Sequence, residues 1–193
     1  MLWAGPGVGF RPAAPTEITT LNRKTIKKAA AAPRIPRLRA LTDEYLGLAS
    51  SHPRSFRRYL AEELFRAVEL PPENAHSLDG DLHPAQVAAH CLDYERSIHV
   101  VGGLDLALLG LGLNGHVAFN EPGSPGDSRT RAVELHATTR AQAAPAFGGL
   151  QNVPVQALTM GLATLYDARA VRLVVTGPAK REVLGRVLAS STP

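Results

Sequence analysis

The feature that most constrains this chain is the run over residues 105–125, which reads DLALLGLGLNGHVAFNEPGSP. An apolar stretch typical of a buried strand ends in glycines and passes directly into a polar, turn-forming segment. Eight residues of that segment hold four polar side chains: Asn114, His116, Asn120 and Glu121. Ligands of α/β folds bind beyond the carboxyl ends of the strands. The run therefore predicts an α/β protein whose site lies in this loop.

Length and composition favour one soluble domain. The chain has 193 residues, enough to bury a core, with 45% apolar and 20% charged residues. No apolar run approaches the roughly 20 residues of a membrane helix, and the first ten residues lack the charged region of a signal peptide. A single cysteine, Cys91, excludes an internal disulfide and a cysteine metal cluster. We predict a cytoplasmic protein with no membrane partner.

The positive charge is concentrated at the amino terminus. The formal net charge is +4, but residues 1–40 carry eight lysines and arginines against one acidic residue, Glu17. The remainder is slightly acidic, which argues against a nucleic-acid surface on the folded part. A basic arm can bind nucleic acid, but this one lacks interleaved aromatic residues. We interpret it as a solvated or disordered tail.

Hydrophobic periodicity divides the chain into two parts. Residues 1–36 are rich in Ala, Pro and Gly and are predicted to form an irregular arm, whereas residues 37–193 are predicted to form the folded domain. Strands are predicted over residues 38–42, 104–109, 132–137 and 170–175, and helices over residues 55–70, 84–98, 155–166 and 179–189. This alternation indicates a three-layer, Rossmann-like, mostly parallel sheet with helices on both faces.

The loop contains a dinucleotide-binding fingerprint that we reject. Gly110, Gly112 and Gly115 form the pattern G-x-G-x-x-G after a strand. In a dinucleotide site a helix begins at this point, so that its N-terminus meets the pyrophosphate. Here residues 116–123 read HVAFNEPG and end in a turn. The fingerprint also normally follows the first strand of its unit, and this one lies halfway along the chain.

His116 is the first candidate for proton transfer. Its side chain titrates near neutrality, and Glu121 follows five residues later. A carboxylate at that distance can orient the imidazole and raise its pKa. The pair suits proton transfer to and from a hydroxyl or ring oxygen. No second histidine stands at ligand spacing, so we predict no metal site.

Residues 111–122, LGLNGHVAFNEP, closely resemble the signature loop of glucosamine-6-phosphate deaminases. Four further segments resemble the family in the same order: residues 42–48 with 52–56, 128–131, 153–161 and 177–180. The resemblance covers about residues 38–188. The related 6-phosphogluconolactonases share the fold and a similar loop, but after the histidine they read T-A-S-L-F-P where this chain has VAFNEP. Glu121 therefore favours the deaminase over the lactonase.

The resemblance implies a reaction and a set of catalytic residues. Deaminases of this kind convert glucosamine 6-phosphate and water to fructose 6-phosphate and ammonia, an aldose–ketose isomerisation that uses no organic cofactor. Ring opening is assigned to His116, assisted by Glu121 and Asn114. With an amide at position 114, Glu121 is expected to supply most of the negative charge that tunes the histidine. Asp43 matches the base that removes the C2 proton, and its neighbour Glu44 is expected to be structural.

The phosphate-binding groups match the resemblance less completely. Lys180, at the start of a predicted helix, matches the lysine that contacts the substrate phosphate, and Arg129 and Arg131 are weaker candidates for the same anion. Residues 1–40 contain no glycine- and threonine-rich phosphate loop after a strand, and no arginine stands at residues 141–147. We therefore expect that the first βαβ unit is missing or replaced, that the family's last strand–helix region is absent, and that substrate binding is weakened.

Three alternatives stay open at this point. The chain is a sugar-phosphate deaminase, or a catalytically impaired remnant that binds sugar phosphate weakly or acts through protein contacts, or a 6-phosphogluconolactonase-like hydrolase. The expected partner is a small sugar phosphate. The sequence leaves open whether the chain forms a homo-oligomer.

Overall fold

The computed structural model of the chain describes residues 39–190, in which strands and helices alternate as the sequence predicts. The strands are β1 (Arg39–Ala40), β2 (Asp43–Tyr45), β3 (Ala75–His76), β4 (Ala107–Gly110), β5 (Arg131–Glu134), β6 (Gln156–Thr159) and β7 (Val171–Val174). The α-helices are α1 (Phe56–Leu60), α2 (Pro84–Val100), α3 (Ala137–Phe147), α4 (Leu162–Tyr166) and α5 (Arg181–Ser190). The arm predicted for residues 1–36 lies outside the described residues.

The strands pair in two different ways. β1 pairs with β3, and β4 pairs with β7, both in parallel. β2, β6 and β5 form an antiparallel sheet in that order. The predicted α/β class is confirmed, with its parallel pairing confined to β1–β3 and β4–β7 among the described strands. None of the described helices is both long and apolar enough to cross a membrane.

The helix predicted over residues 155–166 is wrong in its first half. Residues Gln156–Thr159 form β6, and a helix, α4, begins only at Leu162. β6 pairs with β2 on one edge and β5 on the other, and its last three residues are buried. Tertiary pairing has overridden the helical propensity of Ala and Leu. Gly161 is the N-cap of α4, and a Cβ there would collide with the backbone of Ser128.

The helix α3 was not predicted. The strand expected over residues 132–137 ends as β5 at Glu134, and α3 begins at Ala137. The side chain of His136 caps α3 by accepting a hydrogen bond from the amide of Thr138. Gly148, with a φ of 70°, ends the helix in the left-handed conformation. Residues 137–147 therefore pack as a helix beside the loop of His116.

Two apolar clusters hold these elements together. The first contains Cys91 and Tyr94 of α2, with Leu109, Leu158 and Met160. The Tyr94 hydroxyl also donates to the Leu41 carbonyl at 2.7 Å, which ties α2 to the segment after β1. The second cluster is aromatic and lies beneath the candidate site: Tyr45 has ring centroids 5.2 Å from each of Phe56, Phe119 and Phe147.

Glu44 is a buried carboxylate with a structural role, as predicted. It accepts hydrogen bonds from the Ser55 hydroxyl at 2.7 Å and from the amides of Tyr45, Phe56 and Arg57 at 2.9, 3.2 and 3.0 Å. The last two amides belong to the first turn of α1, whose N–H groups have no partner within the helix. The carboxylate therefore joins β2 to the N-terminus of α1.

Replacing Glu44 with alanine is expected to lower the free energy of unfolding by about 3 kcal/mol or more, because several buried donors lose their acceptor. The matched control is Glu62→Ala, which removes an exposed carboxylate paired with Arg58 and should cost less than about 1 kcal/mol. Urea denaturation followed by circular dichroism measures both values. Equal losses in the two variants would contradict the structural role of Glu44.

Candidate active site

A pocket of about 360 Å³ lies where β2, the end of β4 and the N-terminal half of α3 meet. This volume is within the range of small-molecule sites. Among its lining residues are three that the sequence singles out: Asp43, His116 and Lys180. Residues that are 137 positions apart in the sequence therefore line one cavity. Thr139 and Gln142 of α3 also line it.

Asp43 begins β2 and places its carboxyl group in the pocket wall. The Thr42 hydroxyl donates to Asp43 Oδ1 at 2.6 Å. Burial raises the pKa of Asp43 from 3.8 to about 6; the hydrogen bond from Thr42 opposes this shift, and the charge of Glu44 adds to it. A carboxyl group with a pKa near 6 is ionised at neutral pH and still accepts a proton readily, as a general base requires.

The glycine loop is shaped around the imidazole ring of His116. The Gly112 amide donates to the His116 carbonyl at 2.8 Å, and the Gly115 amide donates to the Gly112 carbonyl at 3.1 Å. Gly115 has a φ of 96°, which favours glycine. A Cβ at Gly112 would collide with the ring of His116. The glycine pattern that resembles a dinucleotide-binding fingerprint therefore leaves room for the imidazole ring of His116.

Asn114 links His116 to Glu121. Its Oδ1 accepts the backbone N–H of His116 at 3.2 Å and lies 2.7 Å from His116 Nδ1, while its Nδ2 donates to Glu121 Oε2 at 2.7 Å. This amide orientation is the one in which the backbone N–H meets an oxygen and the carboxylate meets an NH₂ group. His116 Nδ1 therefore carries the proton, and Nε2 is left as the acceptor.

The pKa of His116 lies below its ordinary value, although Glu121 raises it as the sequence predicts. Burial of the ring lowers this pKa and outweighs the raising effect of Glu121, whose Oε2 lies 3.5 Å from Nδ1; the charge of Lys180 lowers it further. Sequence spacing revealed the carboxylate but not the burial. His116 is consequently a neutral imidazole at pH 7, able to accept a proton at Nε2.

Glu121 is held as a carboxylate. Burial opposes its ionisation, but hydrogen bonds from Thr139, Asn114 and the His136 amide outweigh burial and lower its pKa. The His136 amide lies 3.1 Å from Glu121 Oε1. Thr139 was missed because residues 137–147, rich in Ala and Thr, show no apolar period that would have indicated α3.

The basic residues separate into two places. Lys180 lies in the 3₁₀ turn Pro178–Lys180, lines the pocket and is near enough to His116 to affect its pKa. Arg129 pairs with Asp167 on the surface. Arg131 donates to Asn120 Oδ1 at 3.0 Å. Among the described residues Lys180 is the one lysine or arginine that lines the pocket, and the two arginine candidates are not brought to it.

Comparison with known proteins identifies the family of the chain. Residues 39–193 match the family described as glucosamine-6-phosphate isomerases/6-phosphogluconolactonase. The chain belongs to this family. It is 41% identical over 145 residues to a glucosamine-6-phosphate deaminase of Shouchella clausii, covering 75% of this chain and 58% of that protein. It is 43% identical over 147 residues to glucosamine-6-phosphate deaminase 2 of Giardia intestinalis, covering 76% and 55%.

Solved structures of family members share the fold. A monomeric glucosamine-6-phosphate deaminase superposes with a TM-score of 0.78 at 31% identity, over 89% of this chain and 71% of that one. A 6-phosphogluconolactonase of Thermotoga maritima gives a TM-score of 0.62 at 23% identity, over 87% and 71%, and shows the fold alone. The resemblance to the family is confirmed, and the chain spans a little over half the length of the two deaminase sequences above.

Replacing Gly112 with alanine is expected to displace the ring of His116 and to lower the free energy of unfolding by about 1–3 kcal/mol, since the added Cβ overlaps the imidazole. Gly110→Ala is the matched control, because a Cβ there meets nothing within 4 Å. Nitrogen-15 NMR of the imidazole reports whether Nδ1 keeps its proton. An unchanged His116 spectrum in Gly112→Ala would contradict the close packing of ring and glycine.

Replacing Asp43 with asparagine is expected to stabilise the protein above pH 6. The folded-state pKa of Asp43 is raised from 3.8 to about 6, so the folded state binds more protons than the unfolded state and loses stability as pH rises through this window. Asparagine mimics the protonated side chain. Urea denaturation should show a gain of about 3 kcal/mol at pH 8 that disappears near pH 4. A gain that does not depend on pH would contradict the burial of this carboxylate.

Proposed function

We propose that the chain acts as a glucosamine-6-phosphate deaminase, converting glucosamine 6-phosphate and water to fructose 6-phosphate and ammonia. The observation that carries the proposal is the pairing, in one pocket, of a neutral histidine with a free Nε2 and a carboxyl group whose pKa is about 6. The histidine suits transfer of a hydroxyl proton, and the carboxyl group suits removal of a proton from carbon. Relatives named glucosamine-6-phosphate deaminase support the choice of substrate.

In the proposed first step His116 opens the sugar ring. Nε2 accepts the proton of the C1 hydroxyl and returns a proton to the ring oxygen as the C1–O5 bond breaks, giving the open-chain aldehyde. The imidazolium formed in between is stabilised by Glu121, which lies 3.5 Å from Nδ1 and is connected to it through Asn114. Because Nδ1 keeps its proton throughout, a single nitrogen both takes and gives the proton.

In the second step Asp43 moves a proton from C2 to C1. Its carboxylate removes the C2 proton while the C1 oxygen takes a proton from the ammonium group on C2, which gives an enol-amine. The protonated carboxyl then delivers its proton to C1. The nitrogen on C2 becomes an iminium, and water adds to C2 as ammonia leaves, which produces the ketone of fructose 6-phosphate. The raised pKa of Asp43 matters here because a more basic carboxylate is a better acceptor for a weakly acidic C–H.

The substrate phosphate is proposed to bind at Lys180. The ammonium group of a lysine is a compact charge suited to a phosphate, and this one lies in a turn directly before α5, where helix N–H groups favour an anion. Arg129 contacts Asp167 and Arg131 contacts Asn120. These two arginines could therefore bind the phosphate only if their side chains moved.

The lactonase alternative is supported less well. The structural likenesses to 6-phosphogluconolactonases lie at 23% identity or below among those compared, so they show a shared fold and not a shared reaction. The deaminase relatives match at 41–43% identity. Glu121 also belongs to the part of the loop, after the histidine, in which deaminases and lactonases differ. Sugar-phosphate binding without turnover is the remaining alternative and is an outcome of the test below.

Purified chain is expected to release ammonia from glucosamine 6-phosphate. His116→Ala and Asp43→Asn should each lower kcat about 10²–10⁴-fold, the usual contribution of a general acid or base. Lys180→Met should act mainly by raising KM. Arg169→Ala is the matched control, because this arginine pairs with Asp105 outside the pocket, and its kinetics should match those of the unaltered chain.

Each alternative gives a different result in the same assay. A folded chain that binds glucosamine 6-phosphate without releasing ammonia would show a binding protein. Hydrolysis of 6-phosphogluconolactone in place of deamination would show a lactonase. Ammonia release that survives both His116→Ala and Asp43→Asn would refute the residue roles proposed above.

A further inference from the structure

The hydroxyl of Thr139 lies between the two groups that open the sugar ring. Its Oγ1 is 3.2 Å from His116 Nδ1, and the same side chain hydrogen-bonds the Glu121 carboxylate. Thr139 is 5% exposed, so water does not compete for these contacts. A carboxylate only accepts hydrogen bonds; the hydroxyl proton therefore points to Glu121, and the oxygen lone pairs face the Nδ1–H of His116.

Helix α3 supplies more than this hydroxyl. The His136 amide at the helix cap donates to Glu121 Oε1 at 3.1 Å, and Gln142 Oε1 accepts the Leu113 amide at 3.4 Å. The N-terminal turn of a helix also carries a partial positive charge that favours a nearby carboxylate. The first two turns of α3 thus contact the active-site loop at both of its ends.

We propose that Thr139 is a positioning residue that keeps Glu121 ionised and His116 in its Nδ1–H tautomer. The catalytic effect of Thr139 rests on the proposed function, but its contacts with Glu121 and His116 can be tested in the free protein. The hydroxyl is the one side-chain donor that α3 offers to Glu121 among the described contacts. Without it the carboxylate keeps only the Asn114 amide and the His136 N–H.

Other charged groups face this pair and stay unchanged in the test. Lys180 acts on His116 from the turn before α5. Asp43 lines the same pocket on β2. The imidazole of His136 is exposed and lies 3.2 Å from the Thr138 hydroxyl. A change in the titration of Glu121 on substitution of Thr139 therefore reports the lost hydroxyl.

The test is a carbon-13 NMR titration of the Glu121 carboxyl in the full chain, with its signal assigned by its loss in Glu121→Gln. Thr139→Val should raise the pKa of Glu121 by about one unit, since a charge-assisted hydrogen bond is removed, and should mix the two tautomers of His116. Thr139→Ser, which keeps the hydroxyl, should restore both. Thr138→Val, one residue away and exposed, is the matched control and should change neither.

Turnover provides a second, separate readout. If the chain releases ammonia, Thr139→Val should lower kcat about tenfold with little change in KM, and Thr139→Ser should recover most of it. If the chain does not release ammonia, the titration still shows whether Thr139 affects Glu121 and His116. Failure of the proposed function and failure of this inference therefore give different results. Should Thr139→Val not fold, Thr139→Ala replaces it. A Glu121 pKa and a His116 tautomer that are the same with and without the hydroxyl would overturn the proposal.

Discussion

The two halves of the active site are held together by strand β6. Across the antiparallel pair, Thr159 is the partner of Asp43. The Thr159 hydroxyl also accepts the amide of Phe119 at 3.1 Å, and the next carbonyl, that of Met160, accepts Asn120 Nδ2 at 2.8 Å. The Asp43 carboxyl group and the histidine loop are therefore both registered to Thr159, the last residue of β6, and to Met160, which follows it. A slip of β6 by one residue would reverse its faces and separate them.

The alternation of side chains along β2 then gives two neighbouring carboxylates opposite tasks. Glu44 points to α1, where four donors satisfy it. Asp43 points to the pocket, where Thr42 is its one described hydrogen-bond donor. Burial with few donors raises the pKa of a carboxyl group, whereas burial with many permits ionisation. The structure thus anchors the strand with one carboxylate and keeps the other reactive at the cost of some stability.

What the sequence could predict depends on how local the interactions are. Asn114, His116 and Glu121 form a unit within eight residues. The contact of His116 with Glu121 was expected from their spacing, and the part of Asn114 from the resemblance to the deaminase loop. Residues 156–160 are a short apolar run that periodicity alone does not assign to strand or helix; pairing with residues 43–45 and 131–134 decides it. Helix α3 was missed because it has Pro145 inside it and no apolar face of clear period. The lowered pKa of His116 depends on burial, which spacing does not contain.

The described residues hold the candidate proton-transfer groups more firmly than they hold the candidate phosphate-binding group. His116 and Glu121 each have hydrogen-bond partners on more than one element. Lys180 is a single flexible cation with no ion-pair partner among the described residues. A fixed network stabilises charge as it develops in the transition state, while a mobile charge binds substrate and transition state about equally. In this part of the chain, the residues on β2, the His116 loop and α3 should therefore govern kcat, and the turn before α5 should govern KM.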